Sequence, residues 1–202
     1  MLNVSDNKNN NEYIKLEDYK SFDYEIPNIF LDCIIEDKRV IVKTELKLIK
    51  KNININSLIL DGIDIFVEKI YLDESLLEEN NYSIQKNRLL IKPILKETFT
   101  LKIVGTIKPK ENFSLLGMYE SNGIITTQCE AEGFRRISYH SDRPDILSKY
   151  KVRIEANKED YPVLLSNGNL VKANDLEPRR HEVIWEDPNP KPSYLIALVA
   201  GK

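Results

Sequence analysis

Along most of the chain, apolar and polar residues alternate with a period of two. Val40, Val42, Thr44, Leu46 and Leu48 alternate with Lys43, Glu45 and Lys47. Phe99, Leu101, Ile103, Gly105 and Ile107 alternate with Thr98, Thr100, Lys102 and Thr106, and Tyr150, Val152, Ile154 and Ala156 with Lys151, Arg153 and Glu155. Successive side chains of a strand point to opposite faces, so each stretch predicts a strand with one wet face. No sustained helical stripe of apolar residues competes with this pattern. Asp61-Gly62, Asn122-Gly123 and Asn167-Gly168 each sit between apolar runs. Such pairs reach positive φ at low cost and predict tight hairpin turns; Gln85-Lys86-Asn87-Arg88 predicts a further one. Residues 194–200 are apolar on both faces and read as a strand covered on both sides, or as a buried helical turn. Pro188, Pro190 and Pro192 just before them favour an extended approach. The sum is an all-β fold of antiparallel hairpins over residues 13–202, forming a sandwich or a curved, saddle-like sheet. An Asn-rich polar tail at 1–12 reads as disordered.

Composition narrows the function classes. The 202 residues are 42% hydrophobic and 30% charged, as in a soluble globular protein. A net charge of -3 gives no electrostatic reason to expect nucleic acid or an anionic membrane as partner. No apolar run approaches the roughly 20 residues of a membrane span, and the first residues lack the apolar core of a signal peptide. Cys33 and Cys129 accordingly read as reduced thiols of a cytoplasmic protein.

Catalytic motifs are sparse. The only histidines are His140 and His181. His181-Glu182 opens like the zinc-protease motif H-E-x-x-H, but the second His, needed one helical turn on, is replaced by Trp185. The segment also alternates as a strand, in which residues four apart lie roughly 13 Å from each other. Cys129 and His140 could be taken for a thiol–imidazole pair, but nothing in the sequence brings them together, and buried structural cysteines are common. There is no G-x-S-x-G, Walker A or G-x-G-x-x-G sequence. The chain thus offers no catalytic residue and no metal ligand of its own.

One segment, 116–145, is dense in functional side chains. Gln128, Glu130 and Glu132 fall within five residues, followed by Arg135-Arg136 and then Asp142-Arg143-Pro144-Asp145. On composition alone this is a charged loop with local ion pairs, each worth little when exposed. Its order of residues changes that reading. Gly117-Met118-Tyr119, Thr127-Gln128-Cys129-Glu130-Ala131-Glu132-Gly133-Phe134-Arg135 and Asp142-Arg143-Pro144-Asp145 resemble the N-terminal domain of the aminopeptidase N family, especially its bacterial branch. Residues 161–169, and Trp185-Glu186-Asp187-Pro188 with Lys191-Pro192, Tyr194 and residues 197–201, fit the same branch. His140-Ser141 departs from it, within a turn.

The resemblance implies a substrate-recognition domain of a zinc aminopeptidase, a hydrolase that removes N-terminal residues from peptides. Zinc would be held by a following catalytic domain of the same polypeptide, with G-A-M-E-N and H-E-x-x-H motifs, so this chain alone is expected to bind no zinc and to be inactive. The partners implied are the peptide N-terminus and that catalytic domain. By similarity Glu130 would bind the substrate α-ammonium group and Gln128 would line the pocket for the first side chain. Glu132 reads as structural, paired with Arg135 or Arg136, and the Asp142 turn as structural too. Two other classes stay open: a non-catalytic β-rich interaction module related to the same family, and an unrelated sandwich binding carbohydrate or protein.

Overall fold

The computed structural model describes residues 15–202; the tail expected at 1–12 lies outside the described residues. The described residues form fifteen strands: β1 (Tyr24–Ile35), β2 (Val40–Lys50), β3 (Leu58–Asp61), β4 (Phe66–Leu72), β5 (Ser75–Leu76), β6 (Tyr82–Gln85), β7 (Arg88–Ile91), β8 (Thr98–Ile107), β9 (Gly117–Ser121), β10 (Ile124–Gln128), β11 (Ser148–Asn157), β12 (Val163–Ser166), β13 (Asn169–Leu176), β14 (Arg180–Lys191) and β15 (Leu198–Gly201). Among the described residues every helical piece is a single 3-10 turn, and no helix is long and apolar enough to cross a membrane. The all-β reading holds. Eight strands form one sheet in the order β13-β14-β11-β1-β2-β8-β4-β5, four form a second, β12-β15-β10-β9, and three a third, β3-β7-β6.

The alternating stretches behave as their pattern dictates. Val40, Val42, Leu46 and Leu48 of β2, Phe99, Leu101 and Ile103 of β8, and Tyr150, Val152 and Ile154 of β11 all enter one apolar cluster. That cluster also takes Leu58 and Leu60 of β3, Leu89 and Ile91 of β7, and Ile125, Leu164 and Leu198 of the four-stranded sheet. Each large side chain so buried contributes about 1.5–3 kcal/mol relative to exposure. The opposite face of the large sheet carries a charged network. Arg153 on β11 donates to Asp32 on β1 at 2.7 Å, and to Glu155 and to Glu182 on β14 at 2.6 Å each. Lys172 and Asn174 on β13 complete the shell of Glu182 at 3.0 and 2.9 Å.

Four features depart from the sequence reading. β1 and β11 pair in parallel, Leu31 opposite Val152, within an otherwise antiparallel set; a pairing across more than a hundred residues leaves no local mark. Asp61-Gly62 turns no hairpin: β3 pairs with β7 and β4 with β8. Asp61 instead exchanges backbone hydrogen bonds with His140, at 2.8 and 3.0 Å, and Gly62 is needed for close approach, since a Cβ there would lie 2.2 Å from the Tyr139 ring. Asn167-Gly168 has the expected positive φ, +86° at Gly168, but the chain passes there from one sheet to another, because β12 pairs with β15 and β13 with β14. Finally, residues 194–200 are not one doubly covered strand. Ser193–Leu195 form a 3-10 turn and only Leu198–Gly201 are strand. Ile196, Leu198 and Ala200 are buried, whereas Leu195 is half exposed, so among the described residues the stretch is not covered on both sides.

Candidate recognition site

The β9–β10 hairpin is closed by Asn122 and Gly123, both at positive φ (+50° and +78°), the conformation a two-residue turn between twisted strands requires. The turn sets the register Ile124↔Ser121, Thr126↔Tyr119 and Gln128↔Gly117. On the other side β10 pairs with β15, Thr126 opposite Val199, and the Thr127 hydroxyl oxygen accepts from the Leu198 N–H at 2.8 Å. Alternation then places Ile124, Thr126 and Gln128 of β10 on the face they share with Tyr119 of β9, Val199 of β15 and Leu165 of β12. Leu165 and Val163, which is paired to Gly201, are 45% and 46% exposed. This outer face is uncharged and partly open to water, and Gln128 stands at its end.

Beyond β10 the chain turns inward and outward by turns. Cys129 and Phe134 are buried, whereas Gln128, Glu130, Ala131 and Glu132 are exposed. The Gly133 N–H returns to the Cys129 carbonyl at 2.8 Å. Phe134 begins a 3-10 turn (Phe134–Arg136) and packs edge-on against His140 and Tyr150, with ring centroids 5.3 and 6.2 Å away. The Glu130–Ala131 peptide bond is cis, and Gln128 Nε2 donates to the Glu130 carbonyl at 3.4 Å. Three carboxylates crowd this stretch, with different fates. Glu132 pairs with Arg135 at 3.3 Å, as its spacing suggests. Asp142, 1% exposed, accepts on Oδ2 from the backbone N–H and the Nε of Arg135 at 3.0 and 3.2 Å, and on Oδ1 from the Ser193 hydroxyl at 2.5 Å. Glu130 makes no ion pair among the described residues and projects from the surface. Arg136 is taken by Asp64. Arg143 forks onto Asp145 at 2.9 Å and stacks on Tyr19, 5.2 Å from its ring centroid, which ties the start of the described chain to this turn.

The other reactive side chains are engaged elsewhere. His181 lies in β14 opposite Ala156 and hydrogen-bonds the Tyr161 carbonyl through Nε2 at 2.7 Å. Hydrogen bonding by Arg153 and Lys172 holds the Glu182 carboxyl down to about 2 despite its burial. The Glu182 oxygens accept from Arg153, Lys172 and Asn174, and among the described residues no three His, Cys, Asp or Glu side chains converge as a metal site would need. Burial pushes the Cys129 thiol up to about 12 and the Cys33 thiol up as well, so neither is a ready nucleophile. Burial also lowers His140 to about 4, with Asp142 opposing only in part. A concavity of 1020 Å³ is lined by Ile65, Phe66, Phe113, Met118 and Tyr139, but reaches neither Gln128 nor Glu130. Ser193 escaped the sequence reading: it lies 51 residues from Asp142 and carries no motif.

Residues 28–195 match the model of the peptidase M1 N-terminal domain. The chain belongs to this family. It is 42% identical over 185 residues to the aminopeptidase N of Haemophilus influenzae, covering 92% of this chain and 21% of that protein. The chain therefore spans about a fifth of the length of the curated relatives it matches. Among solved structures, Legionella pneumophila aminopeptidase A in complex with aspartic acid is 42% identical with a TM-score of 0.88, over 94% of this chain and 22% of that one. An M1 zinc metallopeptidase from Deinococcus radiodurans shares the fold at a TM-score of 0.74 and 13% identity, over 88% of this chain and 42% of that one.

Proposed function

We propose that this chain is the substrate-recognition part of a zinc-dependent aminopeptidase, with Glu130 binding the α-ammonium group of a peptide and Gln128 lining the pocket for its first side chain. The observation that carries this reading is Glu130 itself: an exposed carboxylate without a cationic partner among the described residues, beside carboxylates that have theirs. Facing water, such a group holds an ammonium ion weakly. It becomes a strong anchor only where a cover excludes solvent and lowers the local dielectric. The uncharged outer face of β12-β15-β10-β9 is suited to such a cover, and the relatives are about five times as long as this chain. The cover is the zinc-bearing catalytic portion of the same polypeptide, and zinc chemistry belongs there. What this chain contributes is orientation: an N-terminus held at Glu130 leaves only the first peptide bond within reach of the catalytic portion.

Glu130→Ala in the full-length polypeptide tests this. It should lower kcat/KM for aminoacyl substrates by about 2–5 kcal/mol, as loss of one partner of a buried charge pair does. Wild-type kcat/KM would sink the assignment. The segment alone should show no peptidase activity.

A further inference from the structure

Asp142 sits where both flanks of the Gln128–Glu130 segment are tied down. On the downstream flank, Oδ2 accepts from the backbone N–H and Nε of Arg135, and Arg135 Nη2 donates to the Asp142 carbonyl at 3.0 Å. Arg135 lies in the turn that closes the segment, and its own carbonyl accepts from Ile63 N–H at 2.8 Å, which fixes that turn against the residues after β3. On the upstream flank, Oδ1 accepts from Ser193. Ser193 starts the turn leading to β15, and β15 holds Thr127, the residue before Gln128, through the Thr127 hydroxyl and the Leu198 backbone. One buried carboxylate thus closes a loop of hydrogen bonds around an exposed one. Glu130 has no ion pair of its own among the described residues to keep it in place. Its position must come from the backbone on either side.

We propose that Asp142 is a positioning residue for substrate binding, which sets where Glu130 stands without touching the substrate. The proposal rests on the reading of Glu130 as the ammonium anchor. A buried carboxylate would ordinarily be dismissed as a fold-stabilising group, and its loss would indeed leave Arg135 without its buried partner. Positioning predicts something more. Displacement of an anchor by even an ångström weakens binding steeply, and an anchor that holds ground state and transition state alike reports in KM rather than kcat.

The test is a double-mutant cycle in the full-length polypeptide, read in KM, kcat and Tm. Asp142→Asn keeps the shape of the side chain and removes its charge. We expect it to raise KM for aminoacyl substrates about tenfold with kcat changed less, and to leave KM unmoved when Glu130→Ala is already present, because residues acting through one contact are not additive. Ser193→Ala removes one hydrogen bond and no charge. It carries the same cycle with a smaller effect in the same direction, should Asp142→Asn fail to fold. A lower Tm with unchanged KM would make Asp142 purely structural and overturn the proposal, as would KM effects of Asp142→Asn and Glu130→Ala that multiply independently. A Glu130→Ala enzyme with wild-type KM would instead overturn the anchor itself, and the proposal with it.

Discussion

His140 is fully buried, stacked edge-on against Phe134, with neither ring nitrogen hydrogen-bonded among the described residues. It can be accommodated only as the neutral imidazole. Burial lowers it from an ordinary 6.5 to about 4. The sign follows: below about 6.5 the unfolded chain takes up a proton that the folded chain refuses. Stability is therefore complete above the unfolded value and falls by about 1.4 kcal/mol per pH unit as pH drops towards 4. Denaturant unfolding at pH 7, 6 and 5 should show this slope. His140→Phe, which fills the same space without orphaned nitrogens, should flatten it and leave stability at pH 7 unchanged or raised. An equal slope in the variant would assign the pH dependence to another group.

Among the elements, β2, β8 and β11 were legible because each buries one face and wets the other. Strand β13 was not. All but its last residue are exposed, so no hydrophobic pattern marks Asn169–Leu176 as strand; only pairing to β14 makes it one. Turn dipeptides announced where the chain bends but not what it joins. Asn122-Gly123 and Lys86-Asn87 turn hairpins, whereas Asp61-Gly62 and Asn167-Gly168 mark departures from a sheet, since partners are chosen by the core rather than by the turn. Gln128 and Glu130 were singled out by the order of residues around them. The clamp that Asp142 forms with Ser193 was not, because it depends on the turn into β15 being brought beside the Asp142 turn. The two kinds of bend differ in their tolerance. At Gly123 an added Cβ meets nothing within 4 Å, while at Gly168 it would lie 2.2 Å from the Glu186 carbonyl oxygen. Gly123→Ala should cost only the left-handed backbone penalty, about 1–2 kcal/mol, and Gly168→Ala clearly more. Equal denaturation midpoints for the two variants would contradict that packing.

At the scale of the molecule, two kinds of surface divide the labour. The outer face of the large sheet is charged but satisfied, with Arg153 spanning Asp32, Glu155 and Glu182, and offers a partner little. The outer face of the small sheet is uncharged and leads to Gln128 and Glu130. The proposed function asks for a surface of the second kind: an interface for another portion of the polypeptide, and an edge at which a buried site can form. The central claim is that this half-site recognises an α-ammonium group, and binding measures it most directly. Affinities of the full-length polypeptide for an amino acid amide and for its desamino analogue should differ in favour of the amine, and Glu130→Ala should reduce that preference by about 30-fold or more, the equivalent of 2 kcal/mol. A preference that survives Glu130→Ala intact would contradict the account.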